Sequence, residues 1–253
     1  MSTATDSQPG VSVRLRQIRR EFAGGVVAVE SIDIEVPPGQ FFAMLGPSGC
    51  GKSTLLRIIA GLDRPDTGSV ETDRRRIAYV FQDAHLLPWR TVLDNVALPL
   101  ELRGETRAAR RESALRAIDR VGLREAVLRY PAQLSGGMRM RASLARALVV
   151  SPRLLLLDEP FAALDEITRH QLDEQLRTLW AQSGMTVIFV THSIPEAAFL
   201  AQRAVVLTRR PARIVLDHSL TLPELRTNAL RGEAQFAHET GVLFSALQRG
   251  GAY

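Results

Sequence analysis

The chain has 253 residues, 45% of them hydrophobic and 23% charged, with 32 Lys plus Arg against 27 Asp plus Glu and a formal net charge of +5. This balance excludes collagen-like and disordered classes and supports one large domain, or one domain carrying a subdomain. The charge is mild and the arginines are scattered, so binding to nucleic acid or acidic lipid is permitted but not required. Of the 32 basic residues only Lys52 is a lysine, which singles out that position as one where arginine does not serve. The single cysteine, Cys50, excludes an internal disulfide and agrees with a reducing compartment. No apolar run approaches the roughly 18 residues of a membrane span, since Leu154 to Leu157 is closed at once by Asp158 and Glu159.

Residues 1–10 are small and polar, without the charged start and apolar stretch of a signal peptide, and read as a disordered N-terminus. Short alternating stretches at Val11 to Leu15 and Ile32 to Val36 predict strands, with Pro37-Pro38-Gly39 as a turn. Phe41 to Leu45 predicts a buried strand feeding a glycine-rich loop, and Lys52 to Ala60 a helix that stops at Gly61. Ile77 to Phe81 reads as a further strand. From about Val92 to Val150 the texture becomes helical, rich in Arg, Ala, Leu and Glu and broken by Pro131 and Ser135-Gly136-Gly137, as expected of a helical subdomain inserted into an α/β core. The core resumes with a strand at Leu154 to Leu157, a helix at Glu166 to Gln182, a strand at Thr186 to Val190, a helix near Glu196 to Ala201 and a strand at Ala204 to Leu207. Alternation of this kind predicts a parallel sheet covered on both faces. Beyond Asp217 the pattern is mixed, and 218–253 is read as a C-terminal tail.

Three motifs carry chemistry. Gly46-Pro47-Ser48-Gly49-Cys50-Gly51-Lys52-Ser53, followed by Thr54, has two glycines separated by four residues and then Lys and Ser, between a predicted strand and a predicted helix. Glycines there let backbone N–H groups turn inward around phosphate oxygens, and the helix presents its positive end to the same anion. Lys52 would then reach the β and γ phosphates and Ser53 would ligate Mg²⁺. The second motif, Asp158-Glu159, ends an apolar strand. Asp158 suits a Mg²⁺ contact through water, and Glu159 would polarise an attacking water. The third, Leu134-Ser135-Gly136-Gly137-Met138, opens a helix. It reads either as a plain helix cap or as a second anion cradle that closes over a nucleotide held by a partner subunit.

The ordered set Gly46 to Thr54, Gln82, Leu134 to Met138, Leu154 to Glu159, Ala163-Leu164-Asp165 and His192 resembles the nucleotide-binding subunit of ATP-binding cassette (ABC) transporters over about Val11 to Asp217. The resemblance implies a P-loop NTPase α/β fold with an N-terminal antiparallel β-subdomain and an inserted helical subdomain at about 92–150. It implies ATP and Mg²⁺, with Lys52, Gln82, Glu159 and His192 as the catalytic set and Ser53, Gln82 and Asp158 around the metal. By the same likeness Phe22 stacks on adenine, Asp165 lies in a loop crossing a dimer interface, and His192 contacts the γ phosphate. Met140 departs from the polar residue usual in that helix. Cys50, beside a helix N-terminus and Lys52, is expected to have a lowered pKa and to react with alkylating reagents.

Phe81 to Trp89, Thr91 to Val96, Thr191 to Ala197 and Arg209 to Ile214 are similar to import ATPases of the nitrate, sulfonate and taurine group. Phe81 to Trp89 and Leu56 to Asp63 are most like aliphatic sulfonate importers. The resemblance implies a homodimer sandwiching two ATPs, two copies of a membrane permease seated near Gln82 and Trp89, an indirect link to a substrate-binding protein, and a place at the cytoplasmic face of the membrane. Taurine, nitrate or a pyrimidine precursor are alternative cargoes. A soluble ABC ATPase acting on nucleic acid or ribosomes is the rival class, disfavoured by the absence of coiled-coil insertions and of a second cassette.

Overall fold

The computed structural model describes residues 10–251. Along the chain run β1 (Val13–Phe22), β2 (Val26–Val36), β3 (Phe41–Leu45), α1 (Lys52–Ala60), β4 (Thr67–Thr72) and β5 (Ile77–Val80). Three helices follow, α2 (Val92–Leu102), α3 (Arg107–Arg120) and α4 (Gly136–Leu148). The remainder is β6 (Leu154–Asp158), α5 (Glu166–Ser183), β7 (Thr186–Thr191), α6 (Ile194–Leu200), β8 (Arg203–Leu207), β9 (Ile214–Ser219) and α7 (Ala234–Arg249).

Two sheets form. The smaller is antiparallel with order β2-β1-β4, and the larger has order β5-β6-β7-β3-β8-β9. In the larger sheet every pairing from β5 to β8 is parallel, while β9 returns antiparallel to β8. The two-residue side-chain period of a strand separates the core into two apolar layers. Phe42 and Met44 of β3, with Leu154 and Leu156 of β6, pack toward α1 and the small sheet. Phe41, Ala43 and Leu45, with Leu155 and Leu157, pack toward α5, α6 and the helical segment. Both faces are therefore covered, as the unbroken apolar runs of these strands require.

The helices α2 to α4 contribute Val92, Val96, Ile118, Leu144 and Leu148 to the second layer, so the helical segment is continuous with the core rather than a separate globule. Each of the three starts on a hydroxyl cap, Thr91, Thr106 and Ser135, whose oxygen accepts a backbone N–H of the first turn.

The structure differs from the sequence expectations in three places. β4 is mostly exposed and lacks alternating apolar residues, so it left no pattern to read. The boundary expected at Asp217 falls inside β9, and the following residues build α7, which buries Phe236, Leu243, Ala246 and Leu247. Of the expected disordered stretch 1–10, residues 1–9 lie outside the described residues, and Gly10 is buried with its N–H donated to Gly184 O.

The segment beyond β9 is anchored by Arg226, 4% exposed. Its guanidinium donates to Ala198 O, Phe199 O and Ala201 O at 2.8–2.9 Å, closing the C-terminal end of α6. A helix end buried without such partners leaves carbonyls unsatisfied. Arg226→Leu is expected to destabilise the fold by about 3 kcal/mol, read as a shift of the denaturant midpoint. A change under about 0.5 kcal/mol would show that the clamp contributes nothing.

Candidate nucleotide site

The five residues of β3 are fully buried, which fixes where the chain emerges at Gly46. From there to Gly51 the backbone wraps into a loop and enters α1. Gly51 has φ +129°, and a β-carbon there would lie 2.7 Å from Ala28 O, so only glycine fits where the loop passes β2. α2 to α6 all start on a side-chain cap, whereas α1 has none and no acidic residue in its first turn. Its N-terminal N–H groups and positive dipole end thus have no side-chain acceptor of their own, the arrangement that suits an anion.

Lys52 is 3% exposed. Its Nζ donates to Gly46 O at 2.8 Å and Pro47 O at 3.0 Å and lies 3.2 Å from Glu159 Oε1. This compact cage of carbonyls accommodates a slim stem and a point charge; a planar fork would not fit it.

Adjacent residues at the end of β6 divide between two tasks. Asp158 accepts from Ser53 Oγ at 2.7 Å on one oxygen and from Tyr79 OH at 2.9 Å on the other. Burial, and then the Asp158 carboxylate, hold the Tyr79 phenol above its usual range, so it stays a donor. Glu159 turns the other way, to Lys52 and to His192 Nδ1 at 2.8 Å. The Glu159 backbone, where the chain leaves β6, has φ +45° in the left-handed region. That conformation costs a non-glycine residue about 1–3 kcal/mol, and it is held by Glu159 N–H donating to Val190 O. Ser53 and Asp158 supply a hydroxyl and one carboxylate in contact, an all-oxygen set that fits Mg²⁺, which takes few protein ligands and keeps much of its water.

A cavity of about 140 Å³ opens over this group, and its lining includes Phe22, Lys52, Ser53, Thr54 and Glu159. Gly49 and Gly51 line it as well, while Gly46, Pro47, Ser48 and Cys50 complete the loop beneath. Phe22 is 41% exposed at the end of β1, with the Arg20 guanidinium 4.8 Å from its ring centroid. Gln82 lies exposed two residues beyond β5, on the sheet edge next to β6, outside the cavity lining. Ser135 and Gly136 are exposed at the start of α4, also outside that lining, and Ser135 Oγ accepts Met138 N–H.

Cys50 overturns its expectation. The residue is 2% exposed, and burial raises the thiol pKa, outweighing the opposing pull of Lys52. Met140 faces the core, 5% exposed, which explains an apolar residue at that point of the helix.

Two contributors were not found in the sequence. Tyr79 sat within an apolar strand pattern that gave no reason to look for a hydroxyl. Arg210, from the loop after β8, lines the cavity and donates through Nε to Gly49 O at 2.5 Å. The same loop is stitched to β2 through Ala212 N–H to Ala28 O and Glu30 N–H to Ala212 O. The similarity over Arg209 to Ile214 marked the segment but not its place.

The sequence profile of the ABC transporter family matches residues 29–162. The chain belongs to that family. It is 41% identical to the aliphatic sulfonates import ATP-binding protein of Albidiferax ferrireducens, covering 98% of this chain and 88% of the relative. It is 49% identical to the taurine import ATP-binding protein of Chromobacterium violaceum, covering 74% and 75%. A solved dimeric ATP-binding cassette bound to ADP and Pi superposes with a TM-score of 0.74 at 31% identity, over 85% of this chain and 99% of that one. Among the described residues no helix is long and apolar enough to cross a membrane.

Burial and the raised pKa make Cys50 a poor nucleophile. In the folded ABC cassette, iodoacetamide at neutral pH is expected to modify it roughly tenfold or more slowly than a free cysteine, with normal reactivity recovered in denaturant. Rapid labelling of the native chain would show that the thiol is accessible after all.

Proposed function

We propose that the chain is the ATP-hydrolysing subunit of an ABC importer for sulfonates, working as a homodimer at the cytoplasmic face of the membrane under two permease copies. The observation that carries the hydrolytic part is the pairing of Lys52 with Glu159, which is itself bonded to His192, while the next residues along the two segments, Ser53 and Asp158, are hydrogen-bonded to each other. The sulfonate part rests on the import proteins to which the chain is similar, and taurine also carries a sulfonate group. Cargo is selected by a substrate-binding protein and permease outside this chain.

In this reading ATP lies along the cavity with its base near Phe22 and its phosphates in the loop from Gly46 to Thr54. Ser53 and Asp158, with Gln82, would hold Mg²⁺, which would supply neutralisation of phosphate charge. A phosphate oxygen competes with Glu159 for the Lys52 ammonium. Once displaced from Lys52, the Glu159 carboxylate remains tethered to His192 Nδ1 and is free to orient a water and accept its proton. Ser135, Gly136 and Gly137 of the second subunit close the site; Ser135 and Gly136 stand exposed at the start of α4, outside the cavity lining of their own chain. Trp89, 71% exposed in the segment between β5 and α2 that also carries Gln82, suits the permease surface. Closure of the dimer and its reopening after hydrolysis move that surface and drive the permease between its two accessible states.

Two substitutions test the assignment. Lys52→Arg conserves charge but brings a fork into a cage of two carbonyls, and kcat is expected to fall roughly 10²-fold or more with the fold intact by circular dichroism. Glu159→Gln is expected to bind ATP, stop hydrolysing it and elute as a dimer. A Glu159→Gln protein that stays monomeric and turns over normally contradicts the role given to Glu159.

A further inference from the structure

Arg169 lies in the first turns of α5, one helical turn past Asp165, and its guanidinium leaves its own helix. Nη2 donates to Leu164 O at 2.8 Å, and Nε lies 3.3 Å from Glu196 Oε1. Glu196 is 4% exposed, and its other oxygen accepts from Thr191 Oγ1 at 2.5 Å. The Thr191 hydroxyl in turn accepts the N–H of Ser193 at 2.9 Å. Thr191 and Ser193 flank His192, so two hydrogen bonds from Glu196 outward define the turn that carries the imidazole toward Glu159.

The other end of this chain of contacts reaches the helical segment. A β-carbon at Gly137 would lie 2.7 Å from Thr168 Cγ2, and one at Gly136 would lie 3.7 Å from Leu164 Cδ2. The start of α4 therefore rests directly on Leu164 and Thr168, the residues on either side of Asp165 and next to Arg169. Any shift of α4 against α5 is felt at the Leu164 carbonyl that Arg169 holds.

We propose that Arg169 is a positioning residue that ties the seating of the α4 N-terminus to the placement of His192, through Leu164 O, Glu196 and Thr191. The geometry favours this over simple packing for two reasons. Burial of Glu196 demands a partner: desolvation raises its carboxyl pKa, opposed first by the Thr191 hydrogen bond and then by the Arg169 charge, so Arg169 offsets part of the cost of burying the carboxyl that Thr191 bonds. An arginine also presents Nη2 to Leu164 O as a hydrogen bond and Nε to Glu196 at ion-pair distance from one rigid plane, so that moving one group moves the other. The inference rests on the proposed roles of Glu159 and His192.

The test uses the full chain, with ATPase kinetics and the imidazole NMR signal of His192 at fixed pH, assigned by its loss in His192→Ala. Arg169→Ala is expected to lower kcat roughly tenfold, leave KM for ATP within about twofold, and shift the His192 signal. Arg169→Lys, which keeps the charge but not the fork, falls between it and the wild type. Glu196→Gln keeps an acceptor for Thr191 and a near-identical shape, so it asks the same question from the far end if Arg169→Ala fails to fold. An unchanged kcat, an unmoved His192 signal, or a KM that rises in step with the loss of kcat overturns the proposal. If His192→Ala hydrolyses like the wild type, the role of His192 fails first and the relay falls with it.

Discussion

The ammonium of Lys52 is the contact on which the site depends. It is enclosed by two carbonyls of its own loop and the Glu159 carboxylate, and each partner is placed by a different part of the fold. Gly46 and Pro47 follow from where buried β3 ends, and Glu159 from where β6 ends two strands away in the sheet. Lys52 itself is the first residue of a helix whose start is left without a side-chain cap. A buried cation next to an uncapped helix N-terminus is electrostatically unfavourable by itself, and an anion is what reconciles the two.

Glu159 shows the second constraint. In a regular strand, Asp158 and Glu159 would point to opposite faces, but β6 ends at Asp158 and Glu159 leaves the regular path. The left-handed backbone at Glu159 instead keeps the carboxylate at the sheet edge, facing Lys52 and His192. The neighbouring Val190 carbonyl holds this strained turn, and the buried strands β6 and β7 supply the rigidity it needs.

Legibility in the sequence follows the kind of constraint involved. The phosphate loop could be read because its backbone path admits few residues, and the need for glycine at Gly51 is visible in the clash with Ala28 O. The helical segment could be read from period and composition, and β3, β6 and β7 from unbroken apolar runs. β4 could not, since an exposed edge strand of polar residues has no face to hide. Nor could α7, whose apolar face pairs with a surface made by β8, β9 and α6 together. Cys50 was misread for a related reason: proximity to a helix start and to Lys52 is local and visible, whereas its burial comes from a core cluster it shares with residues distant in sequence, among them Ala28, Val29, Leu207 and Ala212.

The arginines explain why the lysine is alone. Several hold the ends of elements by donating to carbonyls: Arg74 to Ile58 O and Ile59 O, Arg146 to Ala84 O and His85 O, Arg177 to Leu200 O and Glu224 O, and Arg226 to the end of α6. Arg74, Arg146 and Arg177 each use two nitrogens for two carbonyls, and Arg226 gives Nη1 to the end of α6 while Nε donates to Pro223 O, so the guanidinium spans separate acceptors without shedding its charge. Arg210 also donates to a carbonyl, Gly49 O, from outside the phosphate loop. Lys52 faces the opposite problem, a small concave cage in which acceptors converge on one point. The difference between spread and convergent acceptors thus separates the cations that hold the fold from the one that faces the phosphates.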